Sequence, residues 1–391
     1  MYSKINKKPT GIYVFFNFPD LISTLFILIF ISGGCKDTNG YKNKKKVDQG
    51  KEVVLRIEPG PNNPRNSEGD FITLMDGRIL FIYTHFTGNS GSDDASALLA
   101  SRYSSDKGET WTQQDEIIVE QEGEMNVMSV SLLRLQNNKI ALFYAVKNSL
   151  SDCIPYMRIS ADEAKTWSDP IQCITNRKEY FVLNNNRIIQ LKNGRLLMPV
   201  SLHKSPGGVW GPNSGRGTIY CYSSDDNGRT WKGNNNISNP DSVILQEPGL
   251  VELKNGNIMM FIRTTEGVQY LSFSKDKGDT WSPVEPSNIK SPCSPASIAR
   301  IPSTGDLLLV WNNNGKNQKR TPFNIAISKN EGKNWSHIKT IEDDPDGWYC
   351  YTAIHFTDKD VLLGHCAGNR PKGTGLAVTQ ITKLSLAWIY K

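Results

Sequence analysis

An eight-residue turn motif, Ser-x-Asp-x-Gly-x-Thr-Trp, recurs along the chain and narrows the folds open to it. It reads SSDKGETW at 104–111, SDDNGRTW at 224–231 and SKDKGDTW at 274–281. Two degenerate copies are SADEAKTW at 160–167, with Ala164 for the Gly, and SKNEGKNW at 328–335, with Asn330 for the Asp. Each copy follows a strand-like run such as ALLASRYS or VQYLSFS. The Asp can accept backbone N–H bonds across a turn, the Gly supplies positive φ, and the Trp covers the hairpin edge. These roles are structural. Five copies at similar intervals imply a repeat architecture.

A second repeat interleaves with the first. It joins two apolar runs through a polar turn, at 71–83, 131–144, 187–200, 249–263, 297–311 and 352–365. Each unit is therefore two hairpins, an inner one and one ended by the Trp motif. Six four-stranded units around an axis predict an all-β fold, a six-bladed β-propeller. The sixth unit has no Trp motif after it, so the strand near 51–57 is expected to close the last blade. A β-solenoid is the competing architecture, but its repeats are shorter. Helical periodicity is absent after residue 35.

The N-terminus is set apart from these repeats. Lys4, Lys7 and Lys8 precede an apolar run at 21–31, which has the length of an export-signal core. Ser32-Gly33-Gly34-Cys35 follows. It resembles a bacterial lipobox, with Ser32 where Leu is usual, and implies lipidation at Cys35. A plain secretory signal or a single anchor helix is the alternative. The expected division is a signal over 1–34, a polar tether over 35–50 and the repeat domain over 51–391. The expected location is the cell envelope, with the lipid as the membrane contact. Six further Cys show no CxxC spacing and no zinc-ligand cluster, so no metal or cofactor is expected. A net charge of +6, spread over 45 basic and 39 acidic residues, does not suggest nucleic-acid binding. A monomer is expected.

The number and spacing of the Trp motifs resemble those of bacterial exo-sialidases (neuraminidases), the Asp-box or BNR-repeat family. The resemblance covers the chain from about residue 50 onward. It implies an Arg triad on the substrate carboxylate, because a guanidinium fork binds a carboxylate in bidentate fashion. The matching positions are Arg263, ending EPGLVELKNGNIMMFIR, and Arg320, before the strand into the last Trp motif. Arg65 is the third, although Pro64-Arg65-Asn66 departs from the family's Arg-Ile-Pro. The resemblance further implies a Tyr nucleophile, Tyr351 with Tyr349 as the neighbouring alternative, paired with Glu247 as base. A neutral phenol avoids the repulsion a carboxylate would meet at an anomeric carbon bearing a carboxylate. The implied general acid is Asp94 or Asp93, with a slight preference for Asp94, on a glycine-containing loop (FTGNSGSDDAS).

Other residues are candidates for substrate contact. Glu68 and Asp70 flank Arg65 and either pair with it or line the site. His85 ends the first hairpin, and Asn126, Asn185, Asn186 and Arg187 precede inner strands, where they could meet glycan hydroxyls. Trp210 could stack on a sugar or anchor its loop. The expectation is retaining hydrolysis of terminal sialic acid from glycoconjugates. Two alternatives compete: a non-catalytic glycan-binding propeller, and a glycosidase or lyase for another acidic sugar.

Overall fold

A computed structural model of the protein describes residues 50–205 and 215–391. The export signal, Cys35, most of the tether and Trp210 lie outside the described residues. Among the described residues antiparallel strands dominate, and the helical exceptions are a 3-10 turn at Gly315–Asn317 and the short helix Leu386–Tyr390.

Strand β1 is Lys51–Ile57. The first meander is β2 (Asn66–Thr73), β3 (Ile79–Phe86), β4 (Ala97–Ser104) and β5 (Glu116–Val119). The second is β6 (Asn126–Arg134), β7 (Ile140–Ser149), β8 (Asp152–Ser160) and the two-residue β9 (Ile171–Gln172). After β10 (Tyr180–Val182) come β11 (Ile189–Gln190), β12 (Leu196–His203), β13 (Gly217–Ser224) and β14 (Lys232–Gly233). The next meander is β15 (Leu245–Glu252), β16 (Ile258–Thr264), β17 (Val268–Ser274) and β18 (Glu285–Lys290). It is followed by β19 (Ser297–Arg300), β20 (Leu307–Asn312), β21 (Phe323–Ser328) and β22 (Ser336–Glu342). The last strands are β23 (Gly347–Phe356), β24 (Asp360–Asn369) and β25 (Thr379–Ser385). Strand β1 pairs antiparallel with β25, Lys51 opposite Leu384 and Ile57 opposite Thr379, and so supplies the fourth strand of that group.

One linkage was not expected from the repeats. Strand β10 pairs in parallel with β8 at Tyr180–Cys153 and antiparallel with β12, and Gly217 of β13 meets Leu245 of β15. These bridges join three of the groups into one continuous sheet path.

The strand faces explain the near-continuous apolar runs. Strand β12 is buried at every position, and β2 at every position but its last, because both faces are covered by neighbouring groups. The rim strand β22 alternates exposed and half-buried over its first five residues instead, before Ile341 turns into the core. The Trp motifs form the turns as predicted. In the motif after β17, Ser274 Oγ accepts from Gly278 N at 2.8 Å and Asp276 Oδ1 accepts from Thr280 N at 2.9 Å, with φ of +60° and +93° at Lys277 and Gly278. A Cβ at Gly278 would stand 2.8 Å from Leu197 of the preceding group, and one at Gly108 would stand 2.8 Å from Leu362 of the last group. Both motif glycines are therefore needed for close approach as well as for the turn. The first group consequently packs against the last, through a core containing Phe71, Phe81, Trp111, Leu362 and Ile381.

Candidate active site

Four inner strands share an irregularity that aims side chains at a common cavity. Register shifts fall between Ser67 and Asp70 in β2, Met128 and Ser131 in β6, Gln246 and Pro248 in β15, and Cys350 and Ala353 in β23. At each shift a non-glycine residue takes positive φ: Glu68 at 55°, Ser129 at 65°, Glu247 at 43° and Tyr351 at 55°. A bulge of this kind bends the strand and re-aims one side chain. All four residues line a cavity of about 350 Å³. Left-handed backbone at such residues costs about 1–3 kcal/mol each, and it concentrates where a site needs it.

The basic side chains converge on the same cavity. Arg263, Arg320, Glu247, Tyr351, Glu68 and Asp93 line it together, and Arg65 reaches it through its pair with Asp93. Arg263 Nη1 donates to Glu247 Oε1 at 2.6 Å, and the Tyr351 hydroxyl donates to the same oxygen at 3.3 Å. The Arg320 guanidinium stacks over Trp348 at 5.0 Å and Tyr351 at 5.3 Å. Its hydrogen bond from Nη2 to Cys293 O is long, 3.4 Å. Arg320 Nε and Nη1 and Glu247 Oε2 have no hydrogen-bond partner among the described residues. Unsatisfied buried donors on a cation next to a cavity make an anion site.

Arg65 is fully engaged. Its Nε donates to Ser67 Oγ at 2.9 Å, Nη2 to Glu68 Oε1 at 2.9 Å, and Nη1 to Asp93 Oδ1 at 2.5 Å. Ser129 Oγ donates to the other oxygen of Glu68. Asp93 thus sits at the cavity mouth, 62% exposed, bound to the guanidinium. Asp94 turns instead toward Lys147, 3.9 Å from Nζ, and does not line the cavity. Of the two loop carboxylates, Asp93 is the one that lines the cavity.

Electrostatics sort these groups. Burial raises the Glu247 pKa, but Arg263, Arg320 and Arg187 outweigh it and hold the carboxyl below its ordinary value. Burial and the Glu247 carboxylate push the Tyr351 phenol well above its ordinary value, against Arg320 and Arg263. The pair is therefore a neutral phenol donating to a carboxylate. The protein wall around Asp93 displaces part of its water and works to raise its pKa, but Arg65 and Lys147 lower it more, so it is ionised in the free site. Burial raises Glu68 in spite of Arg65.

Several expected contacts lie elsewhere. Asn126 is fully buried, and its Nδ2 is spent on Asp93 O at 2.9 Å and Ala95 O at 2.8 Å. Arg187 is 2% exposed beneath the site, donating to Ala296 O at 2.8 Å and stacked on Phe261, and burial lowers its pKa to about 10. Asp70 is buried among Leu132 N, Phe71 N and Asn186 Nδ2, with burial pushing its pKa up to about 7. His85 pairs with Asp115 at 3.2 Å, outside the cavity lining. Asn185 donates to Gly69 O and Tyr351 O, and Asn186 accepts from Ile354 N, so both brace the inner strands. None of these side chains lines the cavity. Tyr349 is 6% exposed and stacks on Phe323, away from Glu247. The sequence reading missed Ser129, Lys147 and Cys293, whose Sγ lies 3.3 Å from Arg263 Nε. Ser129 shares its repeat position with Glu68, Glu247 and Tyr351, and that alignment could have found it. No group of three His, Cys, Asp or Glu is placed to hold a metal among the described residues.

Comparison with known proteins bears on the family and the fold. A family described as BNR repeat-like domain matches residues 89–363. A curated sialidase of Paraclostridium sordellii is 25% identical over 241 residues, 55% of this chain and 56% of that protein. The chain therefore spans about half the length of that curated relative. A crystal structure of a protein of unknown function from Dyadobacter fermentans superposes with a TM-score of 0.67 at 20% identity, covering 86% of this chain and 99% of that one. The K499G mutant of NanB sialidase from Streptococcus pneumoniae superposes with a TM-score of 0.69 at 15% identity, covering 86% and 71%. The fold is a sialidase-like β-propeller.

Proposed function

The chain belongs to the BNR repeat-like domain family, and from that premise we propose that it is a retaining exo-α-sialidase on a six-bladed propeller. The six strand groups, the β1–β25 pairing and the packing of the first group on the last support the blade count. One observation carries the activity: the orphaned donors of Arg320 lie beside Arg263 and a Tyr351–Glu247 couple in one cavity.

Arg263 and Arg320 receive the carboxylate of a terminal sialic acid, and Arg65 joins them by exchanging Asp93 for the substrate. Asp93 then loses the cation that kept it ionised and holds a proton for the glycosidic oxygen. Tyr351 Oη attacks the anomeric carbon while its proton passes to Glu247, and the C–O bond to the aglycone breaks. Water next displaces Tyr351, giving its proton to Asp93 while the phenolate recovers one from Glu247. Two displacements retain the anomeric configuration. The substrates are sialylated glycans. We also assign residues 1–34 to a lipoprotein signal and Cys35 to the lipid, which places the enzyme in the cell envelope.

Incubation with a 2,3-difluorinated sialic acid tests the chemistry. The expected result is a covalent adduct on Tyr351, located by peptide mass spectrometry and absent from Tyr351→Phe, together with release of the α-anomer from sialosides in proton NMR. An adduct elsewhere, or first release of the β-anomer, would overturn the mechanism. A protein that binds sialosides without turnover would support the lectin-like reading.

A further inference from the structure

We propose that Lys147 is a positioning residue for the acid-bearing loop, acting with Asn126 to keep Asp93 over the cavity once Arg65 has turned to the substrate. The proposal rests on the reading of Asp93 as general acid.

The loop between β3 and β4 holds Asp93 at two points. The first is its side chain, paired to Arg65. The second is its peptide carbonyl, which accepts from Lys147 Nζ at 2.6 Å and from Asn126 Nδ2 at 2.9 Å. Lys147 and Asn126 face each other in register across β6 and β7, so the neighbouring group presents them as one paired unit. They are 1% and 0% exposed. Asn126 also holds Ala95 O at 2.8 Å, two residues further along the loop.

A buried ammonium is costly to desolvate, and a Met of similar length would fill the same space without that cost. Here the charge is directed at one loop carbonyl, with Asp94 at 3.9 Å and the Tyr180 ring at 5.4 Å completing its surroundings. When a substrate carboxylate takes Arg65, the side-chain anchor is lost and the main-chain anchor remains. The loop otherwise carries exposed residues such as Ser92, Asp93 and Asp94 and has a glycine at positive φ, Gly88. Without Lys147 the acid would be free to leave the glycosidic oxygen.

The test compares leaving groups. Acid catalysis contributes roughly 10²–10⁴-fold where the leaving oxygen must be protonated, and little where it departs as a stabilised phenolate. For Lys147→Met in the full chain we expect kcat on sialyllactose to fall by roughly 30- to 100-fold, and kcat on 4-nitrophenyl sialoside by less than about fivefold, with KM little changed. In an Asp93→Asn background, Lys147→Met should add no further selective loss, because the two changes remove one function. Equal losses on both substrates, or full additivity with Asp93→Asn, would overturn the proposal and leave Lys147 as a packing residue. If Lys147→Met does not fold, Asn126→Leu carries the same comparison, with the same outcomes deciding. Wild-type protein inert toward both sialosides would refute the sialidase reading itself.

Discussion

Replacing Arg320 by Met separates what the site costs from what it does. In the free protein this guanidinium is 7% exposed, with one 3.4 Å hydrogen bond and two nitrogens without partners. Each unsatisfied buried donor costs about 1–3 kcal/mol. Stacking on Trp348 and Tyr351 returns roughly 0.5–2 kcal/mol apiece. Met keeps contact with both rings and removes the orphaned donors, so Arg320→Met should be more stable by about 1 kcal/mol, a rise in Tm of roughly 2 °C for a domain of this size. Activity should move the other way. Two charge-assisted bonds to a carboxylate are worth about 3–5 kcal/mol together, which is about two to four orders of magnitude in kcat/KM. Calorimetry and sialoside kinetics on the same preparation read both quantities. A fall in Tm of more than about 4 °C would make Arg320 a structural residue. A kcat/KM within about threefold of wild type would remove it from substrate binding.

Other expectations follow from the charge environment and the turns. Arg65 and Lys147 depress Asp93 in the free site; under the proposed exchange, in which substrate takes Arg65 away, the alkaline limb of kcat should lie at higher pH than that of kcat/KM, and coincident limbs would refute the exchange. His365 is buried, hydrogen-bonded to Thr382 Oγ1 and Cys366 O, and burial lowers its pKa to about 4. The unfolded chain binds a proton near pH 6.5 that the folded one refuses. This residue therefore contributes no pH dependence above about 6.5 and costs about 3 kcal/mol of stability as pH falls to about 4. Denaturant midpoints across that range should fall less for His365→Leu than for wild type. Asp276→Ala removes the acceptor for Thr280 N and Thr280 Oγ1 in one Trp motif. It should cost roughly 1–2 kcal/mol in urea unfolding with kcat unchanged, and a loss of activity in still-folded protein would contradict a purely structural motif.

The parts of the fold written in local signals were legible. Turn residues, alternating runs and motif intervals predict hairpins because each depends on a few neighbouring residues. Strand β10 was not visible, since a three-residue segment becomes a strand only when β8 and β12 stand on either side of it. At the site, Arg263, Arg320, Glu247 and Tyr351 were named from the family resemblance and meet in one cavity. Asn126 and Arg187 stand at equally suggestive points in the repeat, yet one is spent on loop carbonyls and the other lies under the floor. The difference is direction. The bulges at Glu68, Ser129, Glu247 and Tyr351 decide which side chain reaches the cavity, and simple alternation along a strand does not encode them. Lys147 was invisible for a related reason, because its partner Asp93 is 54 positions away.

Those four kinks have a meaning beyond this one site. An acid, an alcohol, a second acid and a phenol occupy equivalent corners of four repeats, each held by ladder bonds that involve only main-chain atoms on either side. The scaffold thus repeats one backbone corner and varies the group it carries. The main-chain frame at each corner does not itself choose the side chain; the two acids are held to their places by buried partners, Glu68 by Arg65 and Glu247 by Arg263, so exchanging either would leave a buried guanidinium without its counter-charge.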